Sequence, residues 1–185
     1  MTAHRRSPGY PTAFERQVTL RDGRRVAIRP LVPDDAAELA EAIRTADADT
    51  LHRRFLGGPP PLTAKVLDYL TRLDYRTRFA LVARDAETGR GVGVARYEQL
   101  RPGTAEVAVA VDPGWRRVGL ATSLVRLLAE AALQRGIHQF AASYLAGNRP
   151  VAALAEEAGG TTLIKDGIAE LVIPLDTQAA TDRSP

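Results

Sequence analysis

Two groups of residues in the stretch AEVAVAVDPGWRRVGLATSLVRLLAEAALQRG, residues 105–136, are placed to do chemistry. Glu106 is the one acid in an otherwise apolar alternating run. Strict alternation puts it on a face with Ala108 and Ala110, opposite Val107, Val109 and Val111. Those small neighbours leave room for a ligand. The competing reading is a solvated edge glutamate. Farther along, Arg116 and Arg117 precede Gly119, Ala121 and Thr122 where an apolar helix begins. A helix start presents unpaired N–H groups and a partial positive charge. Two arginines there are unfavourable unless an anion arrives, and a pyrophosphate would satisfy both arginines and the amides. Gly119 and Ala121 permit close approach to the backbone, and Thr122 adds a hydroxyl. Taken alone, the pattern is also compatible with a solvated arginine pair.

The elements that must position these groups follow from periodicity and turn chemistry. RRVAIRPL reads as a strand with Val26 and Ile28 on one face. VPDDAAELAEAIRTA reads as a helix, with Asp34 or Asp35 as cap and Ala36, Leu39, Ala40 and Ile43 as its apolar face. Thr63 caps a second helix, whose Val66, Leu70 and Leu73 turn inward. RFALVAR and GVGVARYE form a hairpin across DAETG, and TAEVAVAV is the next strand. The helix after it stops at Gly136. HQFAASYL is a strand, NRPVAALAEEA a helix, and TTLI and IAELVIPL close the fold. The order β-α-α-β-β-β-α-β-α-β-β predicts an α/β (α+β) mixed sheet with helices on both faces.

Length and composition set the frame. With 185 residues the chain is expected to form one domain over residues 16–175, between disordered segments at 1–15 and 176–185. There is no cysteine, which excludes disulfides, thiolate metal sites and a cysteine nucleophile. His4, His52 and His138 lack metal-ligand spacing, so no metal is expected. Net charge is +3, and no Lys/Arg block is interleaved with aromatics, so a nucleic-acid interface is not expected. No apolar run reaches membrane-spanning length and the N-terminus lacks a signal-like apolar core, which favours the cytoplasm.

Arg116-x-x-Gly119-x-Ala121 between a strand and a helix resembles the acetyl-CoA signature of the GCN5-related N-acetyltransferases (GNAT). NRPVAALAEEAGG, opening at Asn148, is similar to the second motif of that family. The resemblance implies a mostly antiparallel sheet with a V-shaped split between two central parallel strands, holding acetyl-CoA. Val109 and Val111 would pair with the pantetheine arm like an added strand. The amides of Arg117, Val118, Gly119, Leu120, Ala121 and Thr122, with Arg116, would hold the pyrophosphate, and Asn148 would bond near the pantetheine or sulfur.

In such an enzyme a carboxylate at 106 has a clear use. A lysine amine has a pKa of about 10.4, so at pH 7 roughly one in 2,500 is neutral, a cost of about 4.6 kcal/mol. Only the neutral amine attacks a thioester. A carboxylate at the site, expected to be partly buried, would take the proton as general base. Glu98 is the competing base. A bulge, common in this strand of the family, would alter the facing of Glu106. The tyrosine that often follows the leucine of the second motif is Ala155 here, which leaves the general acid unassigned; Tyr144 reads as core.

The front half narrows the resemblance to the bacterial Pat-type protein lysine acetyltransferases, through Arg54-Phe55, Leu73-Asp74-Tyr75 and Glu106. That implies a protein partner carrying the acceptor lysine, notably an AMP-forming acyl-CoA synthetase. A small-molecule amine acetyltransferase and a non-catalytic acyl-CoA-sensing module are the alternatives. Oligomeric state is left open.

Overall fold

The computed structural model describes residues 9–46 and 61–175. Among them, strands β1 (Arg16–Thr19), β2 (Arg25–Pro30), β3 (Arg78–Asp85), β4 (Gly91–Arg101), β5 (Thr104–Val111), β6 (Gln139–Leu145), β7 (Thr161–Lys165) and β8 (Ile168–Pro174) form one sheet. Its order is β1-β2-β3-β4-β5-β6-β8-β7. Every neighbouring pair is antiparallel except β5 and β6, which run parallel. The helices are α1 (Ala36–Thr45), α2 (Ala64–Thr71), α3 (Leu120–Leu133) and α4 (Arg149–Glu157).

The faces follow from the pleat. In β4, Ala95 and Tyr97 are buried. A side chain at Gly93 would meet Leu120 and Leu124 of α3, so that face is covered by α3. Leu120, Leu124, Leu127, Leu128 and Ala131 are buried along one stripe of α3, the helical period that the sequence displays. Phe140 and Tyr144 of β6 and Leu171 and Ile173 of β8 continue the core beneath α4. The opposite face carries Val82, Val94 and Ala110 and lies beneath α1 and α2.

Three features differ from the sequence reading. The sheet has an extra edge strand, β1, whose four residues RQVT are mostly exposed and show no apolar alternation. Residues 9–15, expected to lie outside the fold, supply a 3-10 turn at Thr12–Phe14 with Phe14 buried. Phe14 meets Phe79 edge-on at 5.4 Å, and Tyr10 meets Tyr75 at 6.0 Å. Two aromatic rings anchor a segment that lacks periodicity. Finally, Asp35 makes no side-chain cap on α1. Its carboxylate is 3% exposed, accepts the Val32 N–H at 2.9 Å and pairs with Arg29 at 2.6 Å. By contrast Thr63 does cap α2, its Oγ1 accepting the Val66 N–H at 3.2 Å.

Leu73, Asp74 and Tyr75 form the joint between α2 and β3. The Asp74 carboxylate accepts the backbone N–H groups of Arg76 and Arg78. Tyr75 is buried at a φ of 54° and its hydroxyl donates to the Leu31 carbonyl at 3.0 Å. Arg54 and Phe55, the 1–8 segment and the 176–185 tail lie outside the described residues.

Candidate functional site

The parallel pairing of β5 with β6 covers only Thr104, Ala105 and Glu106 against Gln139, Phe140 and Ala141. Beyond that the strands part, while β5 stays paired with β4 as far as Val111. The Asp112 N–H donates to the Val92 carbonyl at 3.0 Å, so the ladder turns the backbone groups of residues 108 and 110 toward β4. Those of Val107, Val109 and Val111 therefore turn toward the split. A pocket of about 270 Å³ lies there, lined by Glu106, Val109, Val125, Ala142, Tyr144 and Val151 among others. The placement of Val109 and Val111 is that of an open strand edge, able to pair with an extended ligand.

At the mouth of the split, the turn from β5 into α3 places the arginine-glycine residues. Arg116 and Arg117 are exposed, and the Arg116 Nε donates to the Val111 carbonyl at 3.0 Å. Arg117 has a φ of 62° and Gly119 one of 93°. Gly119 is the residue before α3, and the first intrahelical bond is the Ser123 N–H to its carbonyl at 3.0 Å. The N–H groups of Leu120, Ala121 and Thr122 thus form the free start of the helix. The Leu120 side chain is core, so only its amide faces the turn. Val118 is half-buried and its carbonyl accepts the Arg21 N–H at 3.1 Å.

That bond brings in a residue the sequence reading missed. Arg21, in the β1–β2 turn, lies with its side chain 3.7–3.9 Å from where a Cβ on Gly119 would sit. It is a third exposed guanidinium at the same turn. RDGRR signals a hairpin turn, but nothing in the sequence says which loop that turn meets. Arg24 of the same hairpin stacks over Trp115 at 3.9 Å and donates to the Gly114 carbonyl.

Asn148, before α4, is 6% exposed and makes no side-chain cap. Ala155 is buried and lines the split. Tyr144 is buried, with its hydroxyl 3.5 Å from Thr162 Oγ1, which agrees with a core role.

Glu106 lies on the other side of β5. Its register to β4 runs without a shift from Ala105 to Val111, so the strict alternation holds and Glu106 shares a face with Ala108 and Ala110. Directly opposite it is Glu98, and opposite Glu98 on β3 is Arg78. The next row is Ala80, Arg96 and Ala108. The Tyr69 hydroxyl of α2 donates to Glu98, and that bond, with burial and the Glu98 charge, holds the phenol above its ordinary range. The expected burial of Glu106 is not found: its side chain is exposed. Burial fails because Glu106 sits where β6 is about to leave, with only the small Ala108 and Ala141 beside it and a second carboxylate, Glu98, across the ladder.

A second cavity of about 380 Å³ lies on this face, under α1 and α2. Arg96 is on its lining and is largely buried; burial lowers its guanidinium from the usual range, against the opposing charge of Glu98. Among the described residues no group of His, Asp and Glu is placed to hold a metal, and no helix is long and apolar enough to cross a membrane.

The site therefore joins an open strand edge, an anion-ready turn and a carboxylate on the reverse face. A family model for the acetyltransferase (GNAT) domain matches residues 25–161. The chain is 35% identical to an acetyltransferase of Pseudomonas aeruginosa over 134 residues, 71% of this chain and 72% of that protein. It is 27% identical over 151 residues to the acetyltransferase Pat of Mycolicibacterium smegmatis, covering 80% of this chain and 45% of that longer relative. The crystal structure of the GNAT domain of S. lividans PAT superposes with a TM-score of 0.81 at 30% identity, over 90% of this chain and 99% of that domain. Family match, sequence identity and shared fold agree: the chain belongs to the GNAT acetyltransferases and is related to their Pat-type members.

Proposed function

We propose that this chain transfers an acetyl group from acetyl-CoA to the side-chain amine of a lysine in a partner protein, with Glu106 as general base. The observation that carries this reading is the parting of β5 from β6 immediately after Glu106. The thioester arm fits along the edge opened by that parting, through the backbone of Val109 and Val111. Arg116, Arg117 and the amides of residues 117–122 fit the pyrophosphate, a doubly charged group that needs several donors at once. Asn148, just before α4, would bond near the pantetheine or the sulfur.

In this reading the acceptor amine enters from the face of Glu106. A protonated lysine first gives its proton to the Glu106 carboxylate, directly or through water. The neutral nitrogen then attacks the thioester carbon; as the C–S bond breaks, the second proton that the nitrogen must shed passes through water to the departing thiolate, leaving the amide and CoA. An N–H group turned into the split would bond the oxyanion that develops. An exposed base is free to exchange the proton with solvent between turnovers. No tyrosine stands at position 155, so the thiolate leaves without a proton from that place.

Relation to Pat supports a protein acceptor, and an AMP-forming acyl-CoA synthetase is the partner proposed. Acetylation would neutralise a lysine of that enzyme that meets the reacting adenylate. The cavity of about 380 Å³ beneath α1 and α2 favours one second reading, a small amine as acceptor. Radiolabelled acetyl-CoA, incubated with the protein and with a panel of synthetases and small amines, tests both. Label on a synthetase lysine supports the first reading. Label only on small amines supports the second, and no transfer to any acceptor overturns both.

A further inference from the structure

We infer that Arg96 is a carboxylate-binding group in the acceptor cleft, so that the acceptor carries an acid group near its reacting amine. This rests on the acetyltransferase reading above for the word acceptor, but the binding site itself is argued from the cleft alone.

Arg96 lies on the floor of the cavity beneath α1 and α2, whose walls include Leu39, Ile43, Leu70, Val82, Val94 and Ala110. Its neighbours across both ladders are alanines, Ala80 on β3 and Ala108 on β5. Neither can reach the guanidinium with a polar atom, and both leave space above it. The Arg96 Nη2 is buried and has no hydrogen-bond partner among the described residues. A buried guanidinium with an unmade bond is costly, and native proteins rarely leave one so.

The acids that line the cavity are engaged elsewhere. Asp35 is held by Arg29 and Arg84. Glu38 pairs with Arg84 and accepts the Gly91 N–H at 2.8 Å. Asp112 pairs with Arg90 at 3.1 Å. Glu98, two residues along β4, takes the Tyr69 hydroxyl; its charge acts on Arg96 through space, without a hydrogen bond between them among the described residues. No acid among the described residues is left to serve Arg96, and an oxygen anion from outside would supply the missing partner. A guanidinium fork suits a carboxylate, which takes two parallel N–H bonds. Arg90, the other cation of the lining, is paired with Asp112, so one guanidinium is left and suits one negative charge better than a phosphate dianion.

The position of Arg96 relative to the base sets the spacing. Arg96 stands opposite Ala108, two residues along β5 from Glu106. Side chains on that diagonal are about 7–8 Å apart at their backbones. An amine at Glu106 and a carboxylate at Arg96 fit one small ω-amino acid. They fit equally a lysine beside an acidic residue of a protein.

The probe is 5-aminopentanoate, compared with 5-aminopentanamide. In a titration of the intact protein, the ¹H–¹⁵N resonance of the Arg96 Nε is expected to shift and saturate with the acid. The amide is expected to bind about tenfold or more weakly, since it loses a charged hydrogen-bond pair. The response should vanish in Arg96→Met, which keeps the stem and removes the fork. Equal affinity for acid and amide in the wild-type protein overturns the proposal without any variant.

Transfer kinetics form the second arm. Lysine peptides with Glu or Gln beside the acceptor, and the two small probes, are compared by kcat/KM. A preference of about tenfold for the acid member that falls to near one in Arg96→Met supports the proposal. Preference in the peptide pair alone assigns the carboxylate to a protein neighbour, and preference in the small pair alone to the amine itself. If the resonance titrates with the acid but no acceptor is acetylated, the carboxylate site stands and the acetyltransferase reading falls. If acceptors are acetylated with no acid preference, the reverse holds.

Discussion

Glu98 and Glu106 face each other directly across the β4–β5 ladder, with their Cα atoms about 5.5 Å apart as in any hydrogen-bonded antiparallel pair. Two carboxylates on one face oppose each other unless something separates their roles. Here Tyr69 does so. Its hydroxyl is committed to Glu98, and Arg78 lies across from Glu98 on β3. Glu106 has no such attendants among the described residues and stands beside the opening of the split. The pair is therefore unequal: one acid is held in place, and the other is free to meet an incoming amine.

Arg117 supplies a test of the anion site. A non-glycine residue at a φ of 62° costs about 1 kcal/mol, and the Arg117 side chain is exposed. Arg117→Gly should therefore keep or slightly raise the Tm. The same change should weaken acetyl-CoA about tenfold or more, through loss of a charge-assisted bond. Calorimetry and a melting curve on one preparation read both. Unchanged affinity would remove Arg117 from the cofactor site.

Asp35 tests the support of the acceptor face. Burial by itself would raise its carboxyl, but the Arg29 hydrogen bond, the Val32 N–H and the charges of Arg29 and Arg84 outweigh burial and hold it below the ordinary range. Such a group stabilises fully above its unfolded pKa of about 3.9, and the contribution is lost as pH falls through the lower folded value. Asp35→Asn leaves Arg29 and Arg84 without their shared partner. It should cost about 3 kcal/mol in urea unfolding at pH 7. The gap to wild type should narrow below about pH 4. A gap that does not vary with pH would mean packing, not charge, is what Asp35 supplies.

The parts legible in the sequence were those with local causes. Alternation fixed the faces of β2 and β5, turn chemistry joined β3 to β4, and helical periodicity with Gly119 before it and Gly136 after it bounded α3. The β1 edge was not legible because four exposed residues carry no period. Phe14 was missed because a single aromatic in a polar segment does not announce its pocket. Asp35 read as a cap, since a helix start follows it; only register brings Arg29 and Arg84 to it. Glu106 was placed on the correct face by alternation, yet its exposure depends on where β6 departs, a long-range fact. Arg21 and Arg96 became visible for the same reason, through the loop one meets and the alanines that flank the other.

Acetyl transfer is expected to proceed by direct attack in a ternary complex. The chain has no cysteine, and among the described residues no other side chain in the split is paired with a base that would make it a nucleophile. Initial rates varied in both substrates should give intersecting double-reciprocal lines. Parallel lines, or an acetylated protein that goes on to donate its acetyl group, would contradict this.

The division of labour between the facing acids gives the sharpest prediction. Glu106→Gln keeps the shape of the side chain beside Ala108 and leaves the split and the arginine turn untouched. Acetyl-CoA affinity should stay within about twofold, the range of surface substitutions. The chemical step on a lysine acceptor should slow by about 10²–10⁴-fold, the usual worth of a positioned base. Raising the pH should recover part of the loss, because a larger share of the amine is then neutral before it binds. Glu98→Gln should slow the step far less and should change KM for the acceptor more than kcat, because it disturbs Tyr69 rather than the proton transfer. Single-turnover rates on both variants across pH separate these outcomes. A fast Glu106→Gln with a slow Glu98→Gln exchanges the two roles. Full rates in both would assign the proton to water or to a group on the acceptor.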